Sequence, residues 1–404
     1  MNKLFAKQEK SQILTVNGGS SSIKFALYEV DARLNKLLAG QVENIGQNNT
    51  ALRFKSPENQ QQHKIDIKSD NYESAANQLI DWLEKQVDFK LVKGIGHRVV
   101  QGLEHTQPET ITDAFLVDLK KISAFDPEHL PEEIKMIEIF RKRYPDLVQV
   151  ACFDTSFHTT MPPFAKLLAI PRRFQSKGIK RYGFHGLSYA YLVEQLNLDE
   201  WNETARDRVI LAHLGNGASL AAVKDGKSID TSMGFSPAAG IPMGTRTGDL
   251  DPGVAWYLIK SEALSPKQFN HLVNHESGLL GISETSADVK ELLKIQGTDS
   301  RAAEAIELFC YQTKKWIGSF AAALHGIDTL VFSGGIGENS PEIRERICYG
   351  LEFLGIELDK EKNFNNETVI SADISKVSVR VIPTNEELMI ARSVCHILNY
   401  HIKN

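Results

Sequence analysis

Two stretches of the same design, one near the start of the chain and one near its middle, constrain the fold more than anything else in it. Residues 209–223 read VILAHLGNGASLAAV. The apolar run Val209-Ile210-Leu211-Ala212 enters a glycine turn, Gly215-Asn216-Gly217, and a second run, Leu220-Ala221-Ala222-Val223, leaves it. That pattern predicts strand, turn, strand. A bare glycine turn also lets backbone N–H groups come close to a phosphate. Residues 13–28 read ILTVNGGSSSIKFALY. Here an apolar run enters Asn17-Gly18-Gly19-Ser20-Ser21-Ser22, and an alternating strand follows, with Ile23, Phe25 and Leu27 on one face and Lys24, Ala26 and Tyr28 on the other. Two such hairpins predict two related halves, each offering a phosphate turn. Neither is a P-loop, because a strand rather than a helix follows the glycines and the Gly-Lys-Ser/Thr ending is missing.

A chain of 404 residues has room for two or three domains of this kind. Its net charge of -5 speaks against a nucleic-acid-binding surface. No apolar run approaches the roughly 20 residues needed to span a membrane. The opening MNKLFAKQEKSQ lacks the apolar centre of a signal peptide. Cys152, Cys310, Cys348 and Cys395 lie far apart, a spacing that fits reduced core thiols of a cytoplasmic enzyme better than a disulfide frame or a zinc site.

Along the chain, residues 46–63 are polar and read as a surface loop or hairpin tip. A helix is predicted from Tyr72 to Val87, with Tyr72, Ala76, Leu79 and Leu83 on one face and Asp70 as its N-cap. Residues 94–100 (GIGHRVV) read as a strand that carries Arg98 on the face opposite Ile95, His97 and Val99. An arginine there needs either a structural ion pair or an anion. Pro131 opens a helix with Ile134, Ile137 and Phe140 inward. A buried strand, 147–153, runs into Asp154, which is either a turn residue or a carboxylate placed where α/β proteins put chemistry. His185 lies in the glycine-rich run RYGFHGLS at 181–188. Residues 233–253 form a long Gly- and Pro-rich loop around Arg246, and loops of that length inside compact domains are usually functional. His271 and His275 read as helix surface, since no HExxH accompanies them. A long amphipathic helix spans 301–324. Strand 329–333 enters a glycine loop, Gly334–Asn339, with Ser340 as N-cap and Pro341 opening a helix, a geometry suited to anions or nucleotides. Strand 379–383 precedes a last helix headed by Glu386 and Glu387.

Taken together these stretches resemble the acetate kinase family. The resemblance rests on NGGSSSIKF at 17–25, HRVV at 97–100, FDTSFHTTMP at 153–162, RYGFHG at 181–186, HLGNGAS at 213–219, MGTRTGDLDPG at 243–253, ESGLLGIS at 276–283, SGGIGENSPEIR at 333–344 and IPTNEEL at 382–388. The stretches occur in the family's order and span nearly the whole chain. The family belongs to the superfamily of acetate and sugar kinases, heat-shock ATPases and actin. The resemblance therefore implies an α/β fold of two RNase H-like (actin-like ATPase) domains with ATP in an interdomain cleft. The first domain would be 1–157 plus the C-terminal helix 385–404, and the second, 158–384, would carry most of the nucleotide site.

The implied activity is reversible transfer of the ATP γ-phosphoryl group to a short carboxylate, acetate or propionate, giving an acyl phosphate and ADP. Such a transfer needs positive charge around the equatorial oxygens and a metal on the nucleotide phosphates. By resemblance, Arg98 and Arg246 supply charge, Arg98 also holds the substrate, and His185 donates a hydrogen bond to the phosphoryl group. Asn17 and Glu386 match the positions associated with Mg²⁺, for which Mn²⁺ can substitute. Lys24, the turn His213, Leu214, Gly215, Asn216 and Gly217, then Asp288, Val289 and Lys290, and finally Gly335, Ile336, Gly337, Glu338 and Asn339 match nucleotide positions. Val100, His129, Phe184 and Pro237 match the acyl pocket, and Asp154 a position assigned to proton transfer. A carboxylate is already ionised at neutral pH and needs no base. Asp154 is therefore expected to orient Arg98 or Arg246. The family is usually a homodimer through its second domain.

The chain departs from the family pattern at several points. Leu187-Ser188-Tyr189 stands for Thr-Ser-His, Asp288-Val289-Lys290 for Asp-x-Arg, and Glu128 falls where the acyl pocket expects Leu. The rival readings are a propionate or butyrate kinase of the same family, a sugar kinase with Asp154 as base, and a conformational ATPase that does not need Arg98, His185 and Arg246 together.

Overall fold

The structure is a computed structural model that describes residues 10–19, 22–46, 49–55, 61–69, 71–198 and 207–402. Ser20, Ser21 and Asp70 lie outside the described residues. The chain divides into two compact units, Met1–Ser156 with Asn385–Asn404, and Phe157–Thr384. Each is built on one of the two glycine hairpins.

In the first unit the hairpin is β1 (Gln12–Gly18) against β2 (Ile23–Val30), antiparallel, with Asn17 opposite Lys24. The chain continues through β3 (Leu34–Glu43), β4 (Ala51–Lys55), β5 (Gln62–Asp66), β6 (Val92–Val99), the two-residue β7 (Glu109–Thr110) and β8 (Val148–Phe153). The sheet order is β5-β4-β3-β2-β1-β6-β8-β7, and β6 runs parallel to both β1 and β8. The polar segment after the first hairpin is thus more than a loop tip: β4 and β5 pair within it. Ala51 and Leu52 are buried, and Phe54 packs on Trp82 at 4.7 Å between centroids. That apolar minority was outweighed in sequence by its Asn- and Gln-rich surroundings.

The alternation expected of β2 also changes. Ile23, Phe25, Ala26, Leu27 and Tyr28 are all buried, and only Lys24 is exposed. Both faces of the sheet are covered. On one, Leu14, Val16, Phe25 and Leu27 pack with Ala75, Leu79 and Leu83 of the Tyr72–Gln86 helix and Phe140 of the Leu130–Arg143 helix. On the other lies the Glu386–Ile397 helix, which returns from the far end of the chain. It comes so close to β6 that a Cβ on Gly94 would sit 2.8 Å from Val394 Cγ1. The Tyr72–Gln86 helix is capped by Asn71, whose Oδ1 accepts the Ser74 N–H at 2.9 Å.

The second unit repeats the core of this plan. Strands β9 (Arg208–Leu214), β10 (Ala218–Lys224), β11 (Lys227–Thr231), β12 (Thr329–Ser333) and β13 (Ser378–Val381) are ordered β11-β10-β9-β12-β13. Strand β9 is antiparallel to β10 and parallel to β12, as β1 is to β2 and β6. The Ser300–Ala323 helix covers the sheet with Ile306, Phe309, Cys310, Ile317 and Phe320 buried.

The expected glycine loop after β12 is itself a short helix, Gly334–Asn339. Gly334, at φ +75°, takes the sharp bend that starts it, a left-handed conformation open to glycine. Ser340 makes no side-chain cap for the Pro341–Cys348 helix; it already serves as the C-cap of the preceding one, its N–H donating to Ile336 O at 3.0 Å. Among the described residues no helix is long and apolar enough to cross a membrane.

Candidate active site

In the first unit the expected residues gather at the ends of β1, β6 and β8. Arg98 lies opposite Cys152 in the parallel β6–β8 pair, and Asp154 follows β8 directly, its N–H donating to Val99 O at 3.0 Å. Asp154 Oδ2 accepts from Arg98 Nε at 3.0 Å and Nη2 at 2.6 Å. Arg98 Nη1 donates to Glu133 Oε1 at 3.0 Å, and Glu133 Oε2 accepts the Val100 N–H at 2.9 Å. The three side chains are 13%, 2% and 3% exposed for Arg98, Asp154 and Glu133. Burial opposes the charge on Arg98, but Asp154 and then Glu133 outweigh it and the guanidinium is held firmly protonated. Among the described residues these bonds use three of its five N–H donors, which leaves two for a ligand.

Glu133 was not foreseen. It sits in the Leu130–Arg143 helix in register with Leu130, Ile134 and Ile137, so the signal was present as a carboxylate inside an apolar stripe. Burial raises its carboxyl more than Arg98 and the Val100 N–H lower it, so that it stands at about 8.

Asn17, at the end of β1, donates from Nδ2 to Glu386 Oε2 at 2.9 Å. Glu386 heads the returning helix, which Asn385 caps by accepting the Leu388 N–H at 3.2 Å. Burial and then the charge of Asp154 push the Glu386 carboxyl up to about 7. Asp154 Oδ1 is buried with no hydrogen-bond partner among the described residues. Two carboxylates that feel each other's charge, Asp154 buried with an unused oxygen and Glu386 half-buried, make a hard-oxygen donor set that favours a cation. No group of three His, Cys, Asp or Glu residues is placed to hold a metal alone among the described residues. A divalent cation here would keep its waters or take further oxygens from a phosphate ligand. Lys24 is exposed across the hairpin from Asn17. Val100 is fully buried, and His129 is buried against Asp126, whose Oδ1 lies 2.9 Å from Nδ1.

In the second unit the β9–β10 turn is closed by the Gly215 N–H donating to Gly217 O at 3.1 Å. His185 and Arg246 converge on it: a Cβ on Gly217 would lie 3.2 Å from His185 Nε2 and 3.8 Å from Arg246 Nη1. His185 has φ +60°, an uncommon backbone state for a non-glycine residue and one often found at functional sites. Its ring stacks on His213, centroids 4.4 Å apart, and its Nδ1 lies 2.8 Å from Ser219 Oγ. The Gly- and Pro-rich loop folds over the same turn. The Gly244 N–H donates to Asn216 O at 3.4 Å, and Arg246 Nη1 donates to Pro237 O at 3.2 Å. Phe184 and Pro237 are buried.

Of the residues expected near a nucleotide, Gly335 faces open space, and its N lies 3.8 Å from where a Gly215 Cβ would be. Glu338 turns inward, Oε1 accepting the Gly334 N–H at 2.9 Å and the Thr384 N–H at 3.1 Å. Asn339 Nδ2 donates back to Gly335 O at 3.0 Å. Asp288 caps the Val289–Ile295 helix through the Lys290 N–H at 2.7 Å, while Lys290 is exposed and Val289 buried.

Residues 12–392 match the model of the acetokinase family. An acetate kinase of Thermoanaerobacterium thermosaccharolyticum is 44% identical over 94% of this chain and 97% of its own. A propionate kinase of Citrobacter rodentium is 41% identical over 96% of both. The crystal structure of Porphyromonas gingivalis acetate kinase superposes with a TM-score of 0.84 at 36% identity, covering 96% of this chain and all of that one. With residues 12–392 matched and relatives 41% and 44% identical over nearly the whole chain, the chain belongs to the acetokinase family.

Proposed function

We infer that this chain is an acetate kinase, transferring the γ-phosphoryl group of ATP reversibly to acetate to give acetyl phosphate and ADP. The observation that carries the reading is Arg98: a part-buried guanidinium, fixed by Asp154 and Glu133, with two N–H donors to spare among the described residues. A planar fork of this kind suits a carboxylate.

In this reading an acetate oxygen attacks the γ-phosphorus in line, and the bond from phosphorus to the bridging oxygen breaks. ADP leaves with that electron pair, and no proton need move. Arg98 holds the acetate, and Arg246 offsets charge on the phosphoryl oxygens. His185, through Nε2, donates a hydrogen bond to the same group. The glycine turn 213–217 and the backbone at 335–339 receive the phosphates, with Asp288, Val289, Lys290 and Lys24 toward the rest of the nucleotide. Asn17, Glu386 and the open oxygen of Asp154 would hold Mg²⁺. When bound, Mg²⁺ would neutralise phosphate charge. Asp154 acts by positioning Arg98, since the ionised substrate needs no base.

Propionate is the second reading, favoured by the propionate kinase among the relatives. One methylene in such a pocket is worth only about 1–3 kcal/mol. A homodimer through the second unit goes with either reading. The Pro252–Ser261 helix has no buried residue, and its Val254, Trp256 and Tyr257 are exposed, as at an interface. A cytoplasmic setting fits the four free, buried cysteines.

The test is ATP consumption with Mg²⁺ alone, then with acetate, propionate and butyrate, the acyl phosphate being trapped with hydroxylamine. Acetate-dependent hydroxamate is expected, with kcat/KM ranking the acids. Equal ATP hydrolysis with or without carboxylate, and no hydroxamate, would overturn the reading.

A further inference from the structure

Behind the two stacked imidazoles of the second unit lie two pairs of hydroxyls. His185 Nδ1 is 2.8 Å from Ser219 Oγ, and Ser219 Oγ is itself hydrogen-bonded to Tyr189 Oη. His213 Nδ1 is 2.8 Å from Ser188 Oγ, and Ser188 Oγ accepts from Thr384 Oγ1 at 2.8 Å. Ser188, Tyr189 and Ser219 are fully buried. Each ring therefore meets the same motif at Nδ1: a serine whose oxygen is engaged by a second hydroxyl.

The proton count gives the motif a direction. Thr384 spends its proton on Ser188, which leaves the Ser188 proton for His213 Nδ1. Tyrosine is a stronger acid than serine, so the Tyr189 hydroxyl is the better donor of its pair. The Ser219 proton is then left for His185 Nδ1. An imidazole nitrogen that accepts is unprotonated, and in a neutral ring the other nitrogen carries the hydrogen. Both Nε2 atoms point to the glycine turn. His185 Nε2 lies 3.2 Å from the position of a Gly217 Cβ, and His213 Nε2 lies 3.8 Å from that of a Gly215 Cβ.

We propose that Tyr189–Ser219 and Thr384–Ser188 are tautomer-setting pairs that hold His185 and His213 as neutral Nε2–H donors aimed at an anion on the Gly215–Gly217 turn. Tyr189 and Thr384 are positioning residues, acting through the serines. The inference rests on the reading of the turn as a phosphate site. It also adds to that reading, because the histidines bring directed N–H donors while the arginine brings the charge. Stacking at 4.4 Å suits two neutral rings and penalises two cationic ones.

The test is the pattern of ¹⁵N–¹H couplings from histidine-labelled full-length protein, together with kinetics. Wild type is expected to show His185 and His213 as Nε2–H tautomers. Tyr189→Phe keeps the ring and removes one hydroxyl. His185, and not His213, should then mix tautomers. The kcat for acetate phosphorylation should fall roughly ten- to a hundredfold, the scale for partners that orient a functional ligand, with KM for acetate unchanged. Thr384→Val should do the reverse, moving His213, while Thr384→Ser restores it. In a Ser219→Ala background, Tyr189→Phe should add nothing, and Ser219→Thr should retain the wild-type tautomer. Nδ1–H tautomers in wild type, or unmoved ring signals in well-folded Tyr189→Phe and Thr384→Val, would overturn the proposal. Ring signals that shift as expected while kcat stays constant would uphold the pairs and overturn the phosphate role of the histidines instead.

Discussion

Glu133 and Asp154 grip one guanidinium from two sides, and their replacements should separate holding Arg98 from moving a proton. Glu133→Ala leaves a buried Arg98 N–H and the Val100 N–H without acceptors. It should destabilise the chain by roughly 3–5 kcal/mol, as when one partner of a buried pair is removed, read from urea unfolding, and it should raise KM for acetate. Asp154→Asn keeps an oxygen for Arg98 but drops the charge. It should lower kcat/KM for acetate at every pH, leaving the shape of the pH profile intact. A lost pH limb with Arg98 still in place would restore Asp154 as a proton carrier. The arginine was visible in sequence as a charge within an apolar strand, whereas Glu133 was hidden. An acid in the first turn of a helix also suits the helix dipole, and only the packing of that turn against β6 gives this one its task. His97, next to Arg98 but facing the other way, supplies an independent readout of this unit. It is buried, bonded to Gln149 Oε1 at 2.8 Å, and burial pushes it down from 6.5 to about 4. The unfolded chain therefore takes up this proton first as pH falls. Stability from His97 is complete above about pH 6.5 and is lost progressively toward about pH 4, on the order of a few kcal/mol. Urea midpoints measured across that window should fall, and this component should be absent in His97→Asn.

At the scale of elements, the readable parts were those whose pattern is local. Both glycine hairpins, the Arg98 strand and the long Ser300–Ala323 helix follow from periodicity and turn residues alone. The Gly334–Asn339 helix did not, because three glycines in six residues oppose a helix. Its first turn is held by the Glu338 carboxylate on the Gly334 N–H, a contact that composition does not reveal. The β4–β5 pair was likewise masked, since its apolar residues matter only once Trp82 is beside them. Gly96 is a third case. In sequence it weakens a strand, but in the fold it admits the Glu386–Ile397 helix, and a Cβ there would overlap Ile390 and lie 2.8 Å from Val394 Cγ2. Gly96→Val should push that helix away from β6. The expected outcome is a loss of about 1–3 kcal/mol, the usual range for overpacking. A weaker apparent affinity for Mg²⁺ should accompany it, because Glu386 moves with its helix. Titration of activity against Mg²⁺ at saturating ATP checks this, and unchanged Mg²⁺ dependence in a folded variant would detach Glu386 from the metal.

At the scale of the whole molecule, the repeated five-strand pattern places one glycine hairpin at the centre of each sheet, and the chain closes its first unit with its last helix. Ile390, Ala391, Val394 and Cys395 of that helix are buried, and it covers one face of β1 and β6. The first unit is therefore discontinuous in sequence, while the second, Phe157–Thr384, is a single run with its own sheet and core. Deleting 385–404 should act on the two units unequally. The first loses the apolar cover of its sheet and the partner of Asn17 together, whereas the second loses nothing from its own chain. Hydrogen exchange should show amides of β1, β6 and β8 exchanging fast while those of β9, β10 and β12 stay protected, because exchange reports the stability of each cooperative unit separately. The deletion should abolish acetyl phosphate formation while leaving the second unit folded. Adding the helix back as a separate peptide should restore protection to β1 and β6. Uniform loss of protection across both sheets would instead mean that the second unit depends on the first for its fold, despite having a complete sheet and core of its own.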